Sequence, residues 1–337
     1  MTEVSMRARD AMTEDISLLA FLSHYLDREL PARPPQADHM PWGWEGHILF
    51  ADMLVRGVRP RLLVELGTHT GVSFFAFCEA VRAAWLPTRC IAVDTWKGDE
   101  QAGFYGEEVY ADVAAHAEAH YPLIATLMRM PFDEALASMD EASIDILHID
   151  GLHTYDAVRH DFDAWLPKVR PGGIVLLHDV AEQREGFGVW KLWLEIAPLS
   201  PETCRFPHSH GLGVWRKPGG PALDDVFLRA LLASGPEASA AVQAMILHLH
   251  RQMRCRRQLA ERDEQARDLD RRRHAAETAC ADLHTRLADL HAYLADLEQR
   301  QASLMASRSW RMTRPLRAIA AWARSVLAGH AGRAGRG

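Results

Sequence analysis

Cysteine is scarce in this sequence. The five present in 337 residues (Cys78, Cys90, Cys204, Cys255 and Cys280) are scattered, with no C-x-x-C spacing. That argues against a zinc ribbon or a disulfide framework and favours a reducing compartment. Long apolar runs are missing too: no segment approaches the roughly 18 uninterrupted apolar residues a membrane span needs. Near the start, Arg7 and Arg9 mix with Glu3, Asp10, Glu14 and Asp15, and no apolar run precedes a small-residue cleavage site. No signal peptide is read, and a cytoplasmic location is expected.

One glycine is absent where a dinucleotide loop would need it. In RLLVELGTHTGVS, Arg61 to Ser73, Gly67 and Gly71 enclose Thr68-His69-Thr70. A G-x-G-x-x-G loop has a middle glycine that admits a pyrophosphate. This weighs against an NAD-dependent oxidoreductase, the competing reading within the same fold class. A net positive charge is missing from most of the chain. Residues 307–337 hold seven arginines and no acidic residue, which leaves −14 on residues 1–306 beneath a net charge of −7. An acidic body without an N/D-P-P-Y tetrad is poorly suited to gripping a phosphate backbone or methylating a base, so no nucleic-acid partner is expected.

What is present is a chain 48% hydrophobic, enough for a substantial core. Apolar strand candidates lie at 61–66, 89–94, 123–128, 143–149 and 173–178, and helical patterns at 71–85, 107–119, 132–139, 154–166 and 187–196. Alternation of this kind predicts a parallel sheet covered on both faces. Two further pieces, near 203–206 and 211–216, are joined closely enough to pair antiparallel at the sheet edge. The expected organisation is a helical segment over 1–45, an α/β domain over 46–218, a linker with a helical transition over 219–242, a coiled coil over 243–306 and a basic tail over 307–337.

The coiled coil rests on Leu269, Leu283, Leu290, Leu297 and Leu304 in one seven-residue register, with Ala276 filling the gap and Leu287 and Leu294 four residues after heptad partners. Such a seam predicts a homo-oligomer, the alternative being a helix packed back on the domain. In the tail, Leu316, Ile319, Trp322, Ala323, Val326 and Leu327 form an apolar face beside Arg314, Arg317 and Arg324. A basic amphipathic helix bearing Trp reads as a peripheral anchor on anionic lipid, with a protein-docking helix or a disordered arginine tail as alternatives.

The E-x-G-x-x-x-G run Glu65 to Gly71 resembles the first motif of class I S-adenosylmethionine (SAM) methyltransferases. Together with VDTWKGDEQAGFYGEEVY and ILHIDGLHTYDAVRHDFDAWLPKVRPGGIVLLHD, the chain from about Trp42 to Trp215 resembles the group that includes macrocin O-methyltransferase and cephalosporin-hydroxylase-like proteins, often found with bacterial glycan genes. The resemblance implies a Rossmann-like seven-stranded sheet ending in an antiparallel hairpin, SAM as cofactor, and a sugar or glycan acceptor. Glu65 is then expected at the cofactor's amino group and Thr68 and Ser73 at its carboxylate, with the Gly67–Gly71 turn beneath. Asp94, a carboxylate at a strand end, suits the ribose hydroxyls. Thr95 and Trp96 follow beside the cofactor, although a loop Trp is as often a packing anchor.

Asp150 ends the fourth strand, and His178 and Asp179 end the fifth, where ligands of open α/β sheets bind. Two carboxylates and an imidazole could ligate a divalent cation. The catechol-type Mg²⁺ enzymes, by resemblance, carry Asp and Asp-Asn at these places; here the pair is His178-Asp179, which suits Mn²⁺, Fe or Zn²⁺ better than Mg²⁺. The alternative is that the carboxylates bond loop amides or substrate. His153, three residues after Asp150, stands where those enzymes carry a catalytic lysine. An imidazole with a pKa near 6.5 suits a general base at neutral pH, with helix capping as the other reading. Trp190, Trp193 and Gly186-Phe187-Gly188 are candidates for an acceptor cleft, Phe132 for the adenine border and Phe104-Tyr105-Gly106 for a lid. A non-catalytic scaffold assembling glycan enzymes is the competing function of another class.

Overall fold

The structure, a computed structural model, describes residues 43–331, with side chains described to residue 324. The helical segment expected over 1–45 lies almost wholly outside the described residues, as do Trp42, Arg333, Arg336 and the side chains of Val326 and Leu327. The domain opens with α1 (Ile48–Val58), β1 (Leu62–Leu66), α2 (Val72–Ala83) and β2 (Arg89–Asp94). A small hairpin follows, β3 (Gly98–Asp99) with β4 (Gly103–Phe104), then α3 (Glu107–His120), β5 (Ala125–Arg129) and α4 (Phe132–Leu136). The second half runs β6 (Ile144–Ile149), α5 (Tyr155–Trp165), β7 (Val169–His178), α6 (Val189–Ile196), β8 (Thr203–Phe206) and β9 (Leu212–Arg216).

Seven strands form one sheet in the order β5-β2-β1-β6-β7-β9-β8. The first five are parallel, and β9 enters antiparallel between β7 and β8. Each β1 side chain chooses a layer by the two-residue period of a strand. Leu63 packs into the core under α1, α2 and α3, whereas Val64 and Leu66 pack into the core under α4, α5 and α6. The same alternation sorts Ile174 and Leu176 from Val175 and Leu177 in β7. Burial on both faces explains why these strands read as nearly unbroken apolar runs.

Four details differ from the sequence expectation. β7 begins at Val169, not near 173, because Val169 pairs with Ile144 before a register shift carries the chain through Pro171-Gly172-Gly173. α1 and the 98–104 hairpin had no assigned element. α6 begins after Gly188, whose close approach to the Tyr155 backbone leaves no room for a Cβ. The expected domain end at 218 is not where packing ends: Phe227 and Leu231 of α7 (Val226–Leu232), and Val242, Ile246, Leu249 and Met253 of α8 (Pro236–Ala306), complete the core under α1. The chain divides into compact units after Leu259.

In the second unit α8 continues to Ala306, followed by α9 (Arg308–Met312) and α10 (Arg314–Ala331). Ser307 caps α9, its hydroxyl accepting from the Trp310 N–H. Among the described residues no single helix is long and apolar enough to cross a membrane.

Candidate active site

The chain leaves β1 to build β2 and β5 on one side, then returns to place β6 on the other. The β1/β6 junction is thus a topological switch point, and a crevice opens outside the carboxyl ends of the strands. Two cavities of about 290 and 300 Å³ lie there, sharing Thr68, His69, Ala102, Asp150 and His153.

The first cavity is shaped by the glycine turn. Gly67 has φ +85°, and a Cβ on it would stand 2.1 Å from the Asp150 carbonyl oxygen, so only glycine lets the two loops meet. Gly71, at φ +79°, starts α2, and its N–H donates to the Thr68 carbonyl at 2.8 Å. Asp94 ties the turn down: Oδ2 accepts from the N–H groups of Thr68 (2.8 Å) and His69 (2.9 Å), and Oδ1 from Trp96 N–H (2.7 Å). Gly67, Thr68, Asp94 and Thr95 line this cavity with Phe132 and Tyr105, the latter stacked on His69 at 4.7 Å between ring centroids.

Two expectations are corrected. Trp96 is only 1% exposed and lines neither cavity. Its indole N–H donates to the His69 carbonyl and its ring packs on Tyr110, so it anchors the loop. Glu65 is wholly buried and also lines neither cavity; it faces the α1/α2 layer because it shares Leu63's side of β1. There Trp44 Nε1–H donates to His148 Nε2 (3.1 Å), which leaves His148 Nδ1–H to donate to Glu65 Oε2 at 2.8 Å. Burial pushes the Glu65 carboxyl up, opposed by His148 and Ser73. Ser73, buried beneath the turn, lines the second cavity.

The second cavity holds the ionisable cluster. Asp179 Oδ2 lies 2.8 Å from His153 Nε2 and 3.1 Å from His178 Nδ1, and Asp150 Oδ1 lies 3.5 and 3.3 Å from the same two atoms. Burial disfavours every charge here, but the opposite charges prevail. Burial lowers the His153 pKa, yet hydrogen bonds with Asp150 and Asp179 raise it to about 9. His178 is likewise driven well above its ordinary value despite burial. Asp179 is held down to about 2, and Asp150 well below the usual carboxylate range, by the two imidazoles against burial. Two carboxylates beside one ring favour its protonated form, above the ordinary imidazole value near 6.5.

The expected metal set was Asp150, His178 and Asp179. The donors that converge, with all ligand atoms within 4.8 Å of one another, are Asp150, His153 and Asp179. His178 is more deeply buried, bonds the carboxylates through Nδ1, and has an Nε2 with no hydrogen-bond partner among the described residues.

Sequence reasoning missed Gln101. Its Oε1 accepts from His153 N–H at 2.9 Å and lies 3.0 Å from His153 Nδ1, while Nε2 donates to the Gly186 carbonyl at 2.9 Å. A backbone donor and a backbone acceptor fix the amide's orientation, so Nδ1 carries the proton and Nε2 faces the carboxylates. The only sequence signal was position, inside the quoted VDTWKGDEQAGFYG run. Phe187 stacks on the other side of the His153 ring, centroids 5.0 Å apart, and lines the second cavity with Arg184 and His210. Trp193 packs in the core, Trp190 bonds the Phe187 carbonyl, and Asp161 is buried with its carboxyl pushed up to about 6. Thr154 takes the helix-capping role weighed for His153, accepting from Ala157 N–H.

Residues 64–180 match the family described as a methyltransferase domain, and the seven-stranded sheet with its inserted antiparallel strand is the Rossmann-like arrangement expected from the sequence. Over 176 residues the chain is 49% identical to an uncharacterized protein, y4gI, of Sinorhizobium fredii; the match covers 52% of this chain and 19% of that protein. The chain therefore spans about a fifth of that relative's length. Among solved structures, the O-methyltransferase TomG of Streptomyces achromogenes, in complex with SAM, is 17% identical at a TM-score of 0.40, covering 51% of this chain and 80% of that one. An O-methyltransferase of Bacillus cereus is 14% identical at 0.39, covering 61% and 90%. Likenesses this distant carry no argument about activity.

Proposed function

We propose that this chain is a SAM-dependent O-methyltransferase of the macrocin O-methyltransferase-like group, acting on a hydroxyl of a sugar or glycan. The observation that carries the reading is the meeting of two cavities, each near 300 Å³, at Asp150 and His153. One has the glycine turn and strand-end carboxylate that suit a nucleoside donor. The other is walled by hydroxyl, amide, guanidinium, carboxylate and imidazole groups beside the aromatic rings of Trp44 and Phe187, a lining suited to a polyol.

In this reading Gly67, Thr68 and Asp94 position the donor, which when bound supplies an electrophilic sulfonium methyl. Gln101 and Phe187 hold the His153 ring in one orientation. Nε2 of the neutral ring accepts the hydroxyl proton as the oxygen attacks, and Asp179 and Asp150 stabilise the resulting imidazolium. Alignment of the two ligands across the shared wall removes much of the entropic barrier. Asp150, His153 and Asp179 are also the residues that would hold a divalent cation, and their mixed N/O donor set fits Mn²⁺, Fe or Zn²⁺. A cation bound there would lower the pKa of the acceptor hydroxyl.

The test is transfer of a labelled methyl group to candidate glycans, read by mass spectrometry with and without chelator. Transfer that survives chelation makes His153 the proton acceptor, and transfer abolished by chelation and restored by Mn²⁺ makes it a ligand. Calorimetric binding of NAD with no binding of SAM would overturn the proposal.

A further inference from the structure

The last buried residue in α8 is Met253, and the side chains that follow in the helix are mostly exposed. Yet Leu283, Leu287, Leu290, Leu294 and Leu297 form an unbroken stripe at alternating spacings of four and three, each 41–62% exposed. Leu269 and Leu304 continue it at either end. A 3-4 stripe of leucine is the knob pattern of a coiled-coil seam, with Leu283, Leu290 and Leu297 at d and Leu287 and Leu294 at a.

The flanking charges decide the partner's direction. In this register the g positions include Arg272, Arg286 and Arg300, and the e positions include Asp270, Glu277 and Glu298. Parallel helices set g of one chain against e of the next heptad in the other, bringing Arg272 to Glu277 of the second copy. Antiparallel helices set g against g and e against e, so arginine would meet arginine and acid would meet acid. Among the described residues, Arg272 bonds Asp268 and Glu277 bonds Arg273 and His274, all along their own helix, and both are more than 60% exposed. Arg273 and Gln301 occupy a positions, where polar side chains fix register and suit two strands whose edges stay open to water.

We infer that residues 262–304 pair with a second copy of this chain as a parallel, in-register, two-stranded coiled coil. The register places Cys280, an exposed thiol at an a position, opposite its own counterpart. Facing a positions bring two Cβ atoms within disulfide reach. An antiparallel pair centred on Leu290 would instead separate the thiols by about 20 residues, roughly 30 Å.

The experiment uses the full chain carrying Cys255→Ser, which leaves Cys280 as the single exposed thiol because Cys78, Cys90 and Cys204 are buried. Light scattering is expected to give twice the 37.8 kDa chain mass. Copper–phenanthroline oxidation in air is expected to link most of the chains through Cys280, and Cys280→Ser to abolish the link. Arg272→Glu should weaken the dimer at least several-fold, and adding Glu277→Arg should restore it. A mass of one chain or of three, or a dimer that never links through Cys280, overturns the inference.

Discussion

At the scale of single residues, His153 concentrates the chemistry. Its pKa of about 9, against an ordinary 6.5, has two consequences with definite signs. Without a metal, the fraction able to accept a proton rises with pH, so kcat/KM should climb through about pH 9 and level off above it. His153→Ala should lower turnover by about 10²–10⁴ and erase that limb, as measured by labelled-methyl transfer. In stability, a raised folded pKa contributes fully below pH 6.5 and is lost as pH rises through about 9. The difference in melting temperature between the wild-type chain and His153→Ala should therefore shrink from pH 6.5 to about pH 9.5. Cation binding must displace the protons held by this cluster, so calorimetric affinity for Mn²⁺ should strengthen over the same rise. Gln101→Leu leaves the ring in place but frees Nδ1; a loss of about 10–100-fold in activity or metal affinity is expected, with little change in melting.

At the scale of elements, the strand-to-turn junctions carry the site. Gly67 faces the Asp150 backbone and Gly188 the Tyr155 backbone, so loops from different crossovers are pinned where no Cβ fits. Gly67→Ala is expected to cost about 1–3 kcal/mol in urea unfolding, through both its positive φ and the close approach, and to lower activity further by moving Asp150. These junctions were legible in advance: the apolar runs ending at Leu66, Asp94, Ile149 and His178 fixed which residues stand at strand ends. Glu65 was not legible, because two-residue periodicity says that it shares a face with Leu63 but not whether that face opens to a crevice. The exchange of His153 for His178 in the converging donor set has the same origin. Asp150 to His153 is a loop, and a loop's direction is set by what it packs on, here Phe187 and Gln101 from distant segments.

At the scale of the whole molecule, the domain ends later than composition indicated, since α7 and the first turns of α8 close the core under α1. Beyond them lie the long exposed part of α8 and the basic segment. Leu316, Ile319 and Trp322 of α10 are more than 60% exposed beside Arg317 and Arg324, the pattern of a helix that lies on an anionic surface. Deleting residues 307–337 should reduce co-sedimentation with anionic liposomes while sparing turnover of a soluble acceptor. Equal sedimentation with and without the segment would reject a lipid-binding role.

The sequence by itself determined the α/β alternation, the glycine turn, the acidic residues at strand ends and the leucine register, since each is written in local spacing or composition. The tertiary structure alone decided that Glu65 and Trp96 are buried, that Gln101 holds His153, and that Asp150, His153 and Asp179 share one point in space. Those facts depend on contacts between residues dozens of positions apart, and on the low dielectric that their burial creates. No local pattern encodes either.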